Sequence, residues 1–172
     1  MTTAPALTRI PVGVVVERRK AASPWIDMVW RPAGVLAGVP DAAPWTMLEA
    51  GDDRASFYAG AAEIALYRSE TGHYRDNLNS GRPSLWVSLR PTGVEPPFEI
   101  VAVTADPAEG ESFTQAGDDL VEAVPMPPAV RTIMEAFVAE HHVERPFVKR
   151  KRERADPEAL ARRTPLEKDR RR

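Results

Sequence analysis

The sequence predicts an α+β fold made mainly of antiparallel β-sheet. About six to eight short strands form a meander or partial barrel, and one or two C-terminal helices pack on it. Three observations carry this prediction. Short runs rich in apolar and β-branched residues recur between turns through the first hundred residues, and several alternate at period two, as half-buried strands require. The 17 prolines interrupt helices and keep strands short. After Thr104 the apolar spacing changes to three and four residues, the period of a helix face.

The elements follow in order. Ile10 to Arg18 reads as a strand, with Val12, Val14 and Val16 on one face. Trp25 to Arg31 reads as a second, with a bulge at Pro32 and Gly34 before Val35 to Ala37. Trp45 to Glu49, Arg54 to Tyr58, Ala62 to Arg68 and His73 to Asn79 continue the meander, broken by glycine and polar turns. Ser84 to Arg90 alternates cleanly, with Leu85, Val87 and Leu89 facing one way. Phe98 to Thr104 is the last strong strand, and Leu120 to Val124 is extended. Asp106-Pro107-Ala108-Glu109 is a helix start with a capping Asp and proline at the first helical position, and this helix is expected to run to Gly117. A second helix follows Pro127-Pro128, its stripe formed by Val130, Ile133, Met134, Phe137, Val138 and His141.

The expected organisation is a flexible N-terminus over 1–8, one globular domain over 9–144 and a basic, disordered tail over 145–172. From 145 onward there are 12 Lys and Arg against 5 Asp and Glu; before it, 11 against 20. An acidic body therefore carries a basic arm. With 43% hydrophobic residues the whole chain is too apolar to remain disordered. Zero cysteines exclude disulfides, thiolate metal sites and a Cys nucleophile. No run approaches the ~20 apolar residues of a membrane span, so the cytoplasm is the expected compartment and no membrane partner is expected.

Catalytic chemistry finds little support. There is no Gly-x-Ser-x-Gly, and Ser84 and Ser88 have no nearby histidine in sequence. No glycine-rich loop between strand and helix offers a phosphate cradle. His141 and His142 are adjacent and point apart on a helix, and His73 stands alone at a turn, so no metal and no cofactor are expected. Asp52-Asp53 and Asp118-Asp119 are turn carboxylates.

Two candidate surfaces remain. On a strand from His73 to Asn79, the side chains of His73, Arg75, Asn77 and Asn79 share a face. With Arg82 in the next turn, and Arg18, Arg19 and Arg90 as further members, amides and guanidinium groups present the chemistry that reads phosphate or carboxylate. A solvated sheet face is the plainer reading of the same pattern. Trp25, Trp30 and Trp86 suit packing or a protein-binding patch, and Lys149, Arg150, Lys151 and Arg152 of the tail suit an acidic protein partner. Nucleic acid is a weaker fit, because no aromatic interleaves the basic run and the body is acidic.

The segments Pro11-Val12-Gly13-Val14-Val15-Val16-Glu17-Arg18-Arg19, Trp30-Arg31-Pro32-Ala33-Gly34-Val35-Leu36, Asn77-Leu78-Asn79-Ser80, Pro83-Ser84-Leu85-Trp86-Val87 and Val124-Pro125-Met126-Pro127 carry a resemblance. Pro24-Trp25, Tyr74, Arg90, Phe137-Val138 and His141 belong to it too. The chain up to about His142 resembles a small proteobacterial family of unknown function. Its genes stand beside those of molybdenum-dependent formate dehydrogenase, a ferredoxin-like iron–sulfur protein and a dehydrogenase-maturation chaperone. Some members are described as molybdopterin–guanine dinucleotide biosynthesis proteins. The resemblance implies a non-enzymatic accessory protein for assembly or maturation of that dehydrogenase, with a dehydrogenase subunit or its chaperone as partner. The alternatives are a pterin- or nucleotide-phosphate-binding enzyme or carrier in molybdenum cofactor biosynthesis, and a nucleic-acid module using the tail.

Overall fold

The computed structural model describes residues 5–115 and 117–144. The chain divides into two units, Met1–His142 and Val143–Arg172, and the fold below is that of the first. The predicted tail over 145–172, with Lys149, Arg150, Lys151 and Arg152, lies outside the described residues.

Four strands form the first sheet: β1 (Thr8–Lys20), β2 (Met28–Ala37), β3 (Thr46–Ala50) and β4 (Arg54–Leu66), in the spatial order β2-β1-β4-β3. Three form the second: β5 (Ser84–Pro91), β6 (Phe98–Thr104) and β7 (Leu120–Pro125), in the order β6-β5-β7. Every named strand pair is antiparallel. β2 lies beside β7 and β4 beside β6, so the two sheets enclose a common core. Three helices follow residue 70: α1 (Thr71–Leu78), α2 (Pro107–Phe113) and α3 (Pro128–His141). The α+β class and its antiparallel sheet are as the sequence predicts. No helix among the described residues is long and apolar enough to cross a membrane.

The core is built by period-two alternation. Ile10, Val12, Val14 and Val16 of β1 are at most 4% exposed, and Leu85, Val87 and Leu89 of β5 are fully buried. Each such side chain contributes about 1.5–3 kcal/mol by leaving water. Gly13 lies between two of the inward valines. A Cβ there would sit 3.0 Å from both Pro40 and Tyr58, so glycine is what lets these two rings cover the strand.

The predicted bulge in the second strand is present. Val15 faces Gly34 and Val16 faces Pro32, which leaves Ala33 as the extra residue. The strand starts later than expected, however, at Met28. Trp25 and Ile26 therefore lie in the β1–β2 connection. The two strands expected at Arg54–Tyr58 and Ala62–Arg68 are one continuous strand, β4. Gly60, at φ +145°, and an unpaired Ala59 bend it without turning it back.

The expected strand from His73 to Asn79 is a correction: this segment is helix α1. Thr71, Tyr74, Asn77 and Leu78 are the buried positions, and their spacing is helical. The sequence reading continues the meander through this segment, but the packing follows a helical buried face. Tyr74 and Leu78 join the core, and the Tyr74 ring meets Phe137 of α3 at 6.2 Å between centroids. The helix at Asp106 is capped as predicted, with the Asp106 side chain accepting the Ala108 N–H at 2.8 Å. It ends at Phe113, short of Gly117, because the Thr114 and Gln115 N–H groups close onto Glu111 and Ser112 in a tight last turn.

Helix α2 packs on Trp86 through Gly110. A Cβ at Gly110 would overlap the Trp86 ring, so the ring or the helix would have to shift. Gly110→Ala is expected to lose about 1–3 kcal/mol by overpacking, which outweighs the ~1 kcal/mol that alanine gains over glycine in a helix. Urea unfolding of the two proteins measures the difference. Equal or greater stability of the alanine variant would contradict this packing.

Candidate functional site

The β1–β2 connection and the β3–β4 turn lie at the same end of the first sheet, joined by the Lys20 N–H donating to the Asp53 carbonyl at 2.8 Å. Here two groups of side chains meet. Glu17 is almost buried, its side chain 9% exposed, and three guanidinium groups surround its carboxylate. Arg31 Nε donates to it at 3.2 Å, Arg19 Nε stands at 3.6 Å and Arg54 Nη1 at 3.7 Å. Cross-strand register explains the cluster: Glu17 pairs with Arg31, Arg19 follows two residues on, and Arg19 pairs with Arg54. A carboxylate so far out of water needs such partners.

On the other face of the same strand, Arg18 lies over an aromatic group. Its guanidinium carbon is 5.5 Å from the Trp30 ring centre and 5.7 Å from that of Phe57. Trp30 in turn touches Trp45, Phe57 and Phe98, with ring centres 5.5–6.0 Å apart. Trp45 takes a left-handed backbone conformation, φ 68°, and its N–H donates to the Tyr58 carbonyl. For a bulky residue that conformation costs about 1–3 kcal/mol, and the ring packing holds it there. Beyond this group the chain exposes Trp25 (91%), Ile26 (56%), Met28 (42%) and Val29 (42%) in succession.

The residues expected to read an anion as one set have separate engagements. Asn77 is buried. Its amide donates to the Ser84 and Ala105 carbonyls at 2.8 and 2.9 Å, and its oxygen accepts the Ser84 N–H at 3.0 Å. That use is structural and leaves the amide nothing for a ligand. Asn79 closes the end of α1 through its backbone, and Arg82 is exposed in the next turn. Arg75 Nη1 bonds His142 Nε2 at 2.9 Å. Arg90 bonds both oxygens of Asp119 at 3.1 Å, which holds its pKa above the ordinary value. Arg18 and Arg19 belong to the two groups above. The common strand face that was to unite Arg75, Asn77 and Asn79 does not exist, because on a helix residues two apart point apart. Of the three tryptophans, Trp30 is half-buried in the aromatic group, Trp86 lies under α2, and Trp25 stands free in solvent.

His73 is not alone. The turn Arg68–Glu70 leads directly into α1 and brings Glu70 Oε2 to 3.2 Å from His73 Nδ1. Asp106 Oδ2 is 3.0 Å from the same nitrogen. The hydrogen bond that His73 donates to Asp106 raises the His73 pKa, partly opposed by desolvation. Burial pushes the neighbouring Tyr74 phenol up to about 12. A third histidine closes the helix pair. His142 Nε2 faces a guanidinium, so it accepts, and Nδ1 carries the proton and donates to Thr71 Oγ1 at 3.2 Å.

Sequence reading missed Glu17, Arg31, Arg54, Trp45, Phe57, Phe98, Glu70 and Asp106 as members of these groups. Register i, i+2 on β1 places Glu17 and Arg19 together and was legible. Pairing of Glu70 with His73 at i, i+3 is legible only once the segment is read as a helix.

A family model described as "Protein of unknown function (DUF3305)" matches residues 11–151. No curated protein and no solved structure matches the chain.

The structural role of Asn77 is testable against a ligand-reading one. Asn77→Ala removes three hydrogen bonds to largely buried backbone groups and is expected to cost about 2–4 kcal/mol in urea unfolding. A ligand-reading side chain on a solvated face would leave stability within about 0.5 kcal/mol of the parent.

Proposed function

The chain belongs to the DUF3305 family, and on that premise we propose that it is a non-enzymatic accessory protein which holds a protein partner at the Trp25–Val29 end of its first sheet. One observation carries the reading: Trp25 is 91% exposed and is followed by exposed Ile26, Met28 and Val29, beside arginines ordered around Glu17. A tryptophan has about 150–250 Å² to bury, and leaving it in water forgoes that stabilisation in the free protein. Trp and Arg are also the side chains that dominate binding energy at protein interfaces. The pre-ordered guanidinium groups lose little freedom when a partner's carboxylates meet them.

Strand β3 is the opposite edge of the same sheet. All five of its residues are exposed, Met47 and Leu48 among them. An edge strand offers unpaired backbone groups to an incoming segment. Hydrophobic side chains and an open edge together favour docking of protein over binding of a small phosphate. The partner we propose is a subunit of a molybdenum-dependent formate dehydrogenase or its maturation chaperone, on the strength of the resemblance described above.

Co-purification of the full chain with each of those two proteins tests the reading. Retention of one of them is expected, with Trp25→Ala and the pair Ile26→Ser with Met28→Ser weakening it at least tenfold while thermal stability stays unchanged. Failure to retain either, or retention insensitive to these variants, would set the proposal aside.

A further inference from the structure

We infer that Glu70, His73 and Asp106 form a binding site for a divalent transition-metal ion of the zinc or manganese class. This inference stands apart from the partner surface and uses none of its residues.

The donor atoms converge. Glu70 Oε2, His73 Nδ1 and Asp106 Oδ2 all lie within 4.8 Å of one another, with the imidazole nitrogen 3.2 and 3.0 Å from the two oxygens. An ion with bonds of about 2.0–2.2 Å to each holds its ligands about 3.0–3.5 Å apart, and both distances to the imidazole nitrogen already match that spacing. Two of the ligands come from one helical turn, since Glu70 immediately precedes α1 and His73 lies three residues on. The third comes from the junction of β6 and α2.

The arrangement exceeds what a proton requires. A proton on Nδ1 lies along one direction in the ring plane and serves one acceptor well. Of the two carboxylates, only Asp106 is in hydrogen-bonding geometry with His73; Glu70 stands at 3.2 Å without such a bond. A metal ion at the lone-pair side of Nδ1 engages both carboxylates at once.

The ligands are also supported from behind. Asp106 is 7% exposed. Its second oxygen accepts the Ala108 N–H at 2.8 Å, and its own N–H donates to Thr104 Oγ1 at 3.1 Å. The Thr104 hydroxyl in turn donates to Glu109. One oxygen of Asp106 is thereby fixed and the other is left facing His73, the kind of outer support that orients metal ligands. His73 is about half exposed, which gives an ion a way in and leaves coordination positions for water or an oxygen ligand.

The donor chemistry selects the ion. One imidazole and two carboxylates suit Zn²⁺, Mn²⁺, Fe²⁺ or Co²⁺. All-oxygen Ca²⁺ and Mg²⁺ sites do not use imidazole, and a site without thiolate or thioether does not select Cu⁺.

The test uses the purified full chain, stripped with a chelator and titrated with ZnCl₂ by calorimetry and with MnCl₂ by NMR. A single zinc site with Kd below about 10 µM is expected, together with Mn²⁺ broadening of the His73 ring protons ahead of those of His141 and His142. His73→Ala and Asp106→Asn are expected to weaken zinc by at least about tenfold. The asparagine retains the oxygen that caps α2, so loss of binding there is separable from loss of fold. Glu70→Gln is expected to weaken zinc while leaving thermal stability in chelator unchanged. Absence of zinc or manganese binding to the parent protein at 1 mM metal would overturn the inference, as would zinc affinity equal to the parent's in all three variants, or first broadening at His141 or His142.

Discussion

Strand β1 must be paired on both sides and packed on its inner face, and the rest of the structure depends on that constraint. Its N–H and C=O groups are shared between β2 and β4 over most of 13 residues. Its valines leave water in the core cluster that also holds Leu85, Val87 and Leu89 of the second sheet. Because the side-chain period is two, fixing Ile10, Val12, Val14 and Val16 inward fixes every other side chain on the strand. Beyond Val16 the inward row ends in Arg18 over the Trp30 and Phe57 rings, and the outer face carries Glu17 with Arg19 and its cross-strand arginines. The same alternation that builds the core thus sets out the proposed partner surface at the strand's end.

Helix α1 is the second organising element, and polar groups fix it together with the buried Tyr74 and Leu78. Asn77 ties it to the start of β5 and to the end of β6. Tyr74 accepts the Tyr67 N–H and packs on α3, and His142 returns from the end of α3 to Thr71 and Arg75. Each buried polar group here has a partner, so the helix has one seat. That single seat is what carries His73 to Asp106, 33 residues further along the chain.

The two surfaces differ in physical character. At the end of the first sheet, exposed apolar side chains and ordered arginines provide area and electrostatic fit without convergence on any one atom. Between α1 and α2, three ligand atoms converge on one point with little apolar surface. Protein docking draws on the first kind of surface and ion coordination on the second.

Alternation and β-branched content determined the strands β1, β5 and β6 and the inward face of Leu85, Val87 and Leu89, and Pro32 with Gly34 determined the bulge. Local chemistry determined the Asp106 cap and the start of α3 at its prolines. These features are legible because neighbouring residues cause them. Only the tertiary structure decided that 71–78 is a helix, that Gly60 bends a strand instead of ending it, and that Trp25 is free while Trp30 and Trp86 are covered. It alone brought Glu70, His73 and Asp106 together and occupied Asn77 with backbone groups. Those outcomes depend on which distant surfaces meet, and the free energy of that meeting outweighs local preferences of a few tenths of a kcal/mol per residue.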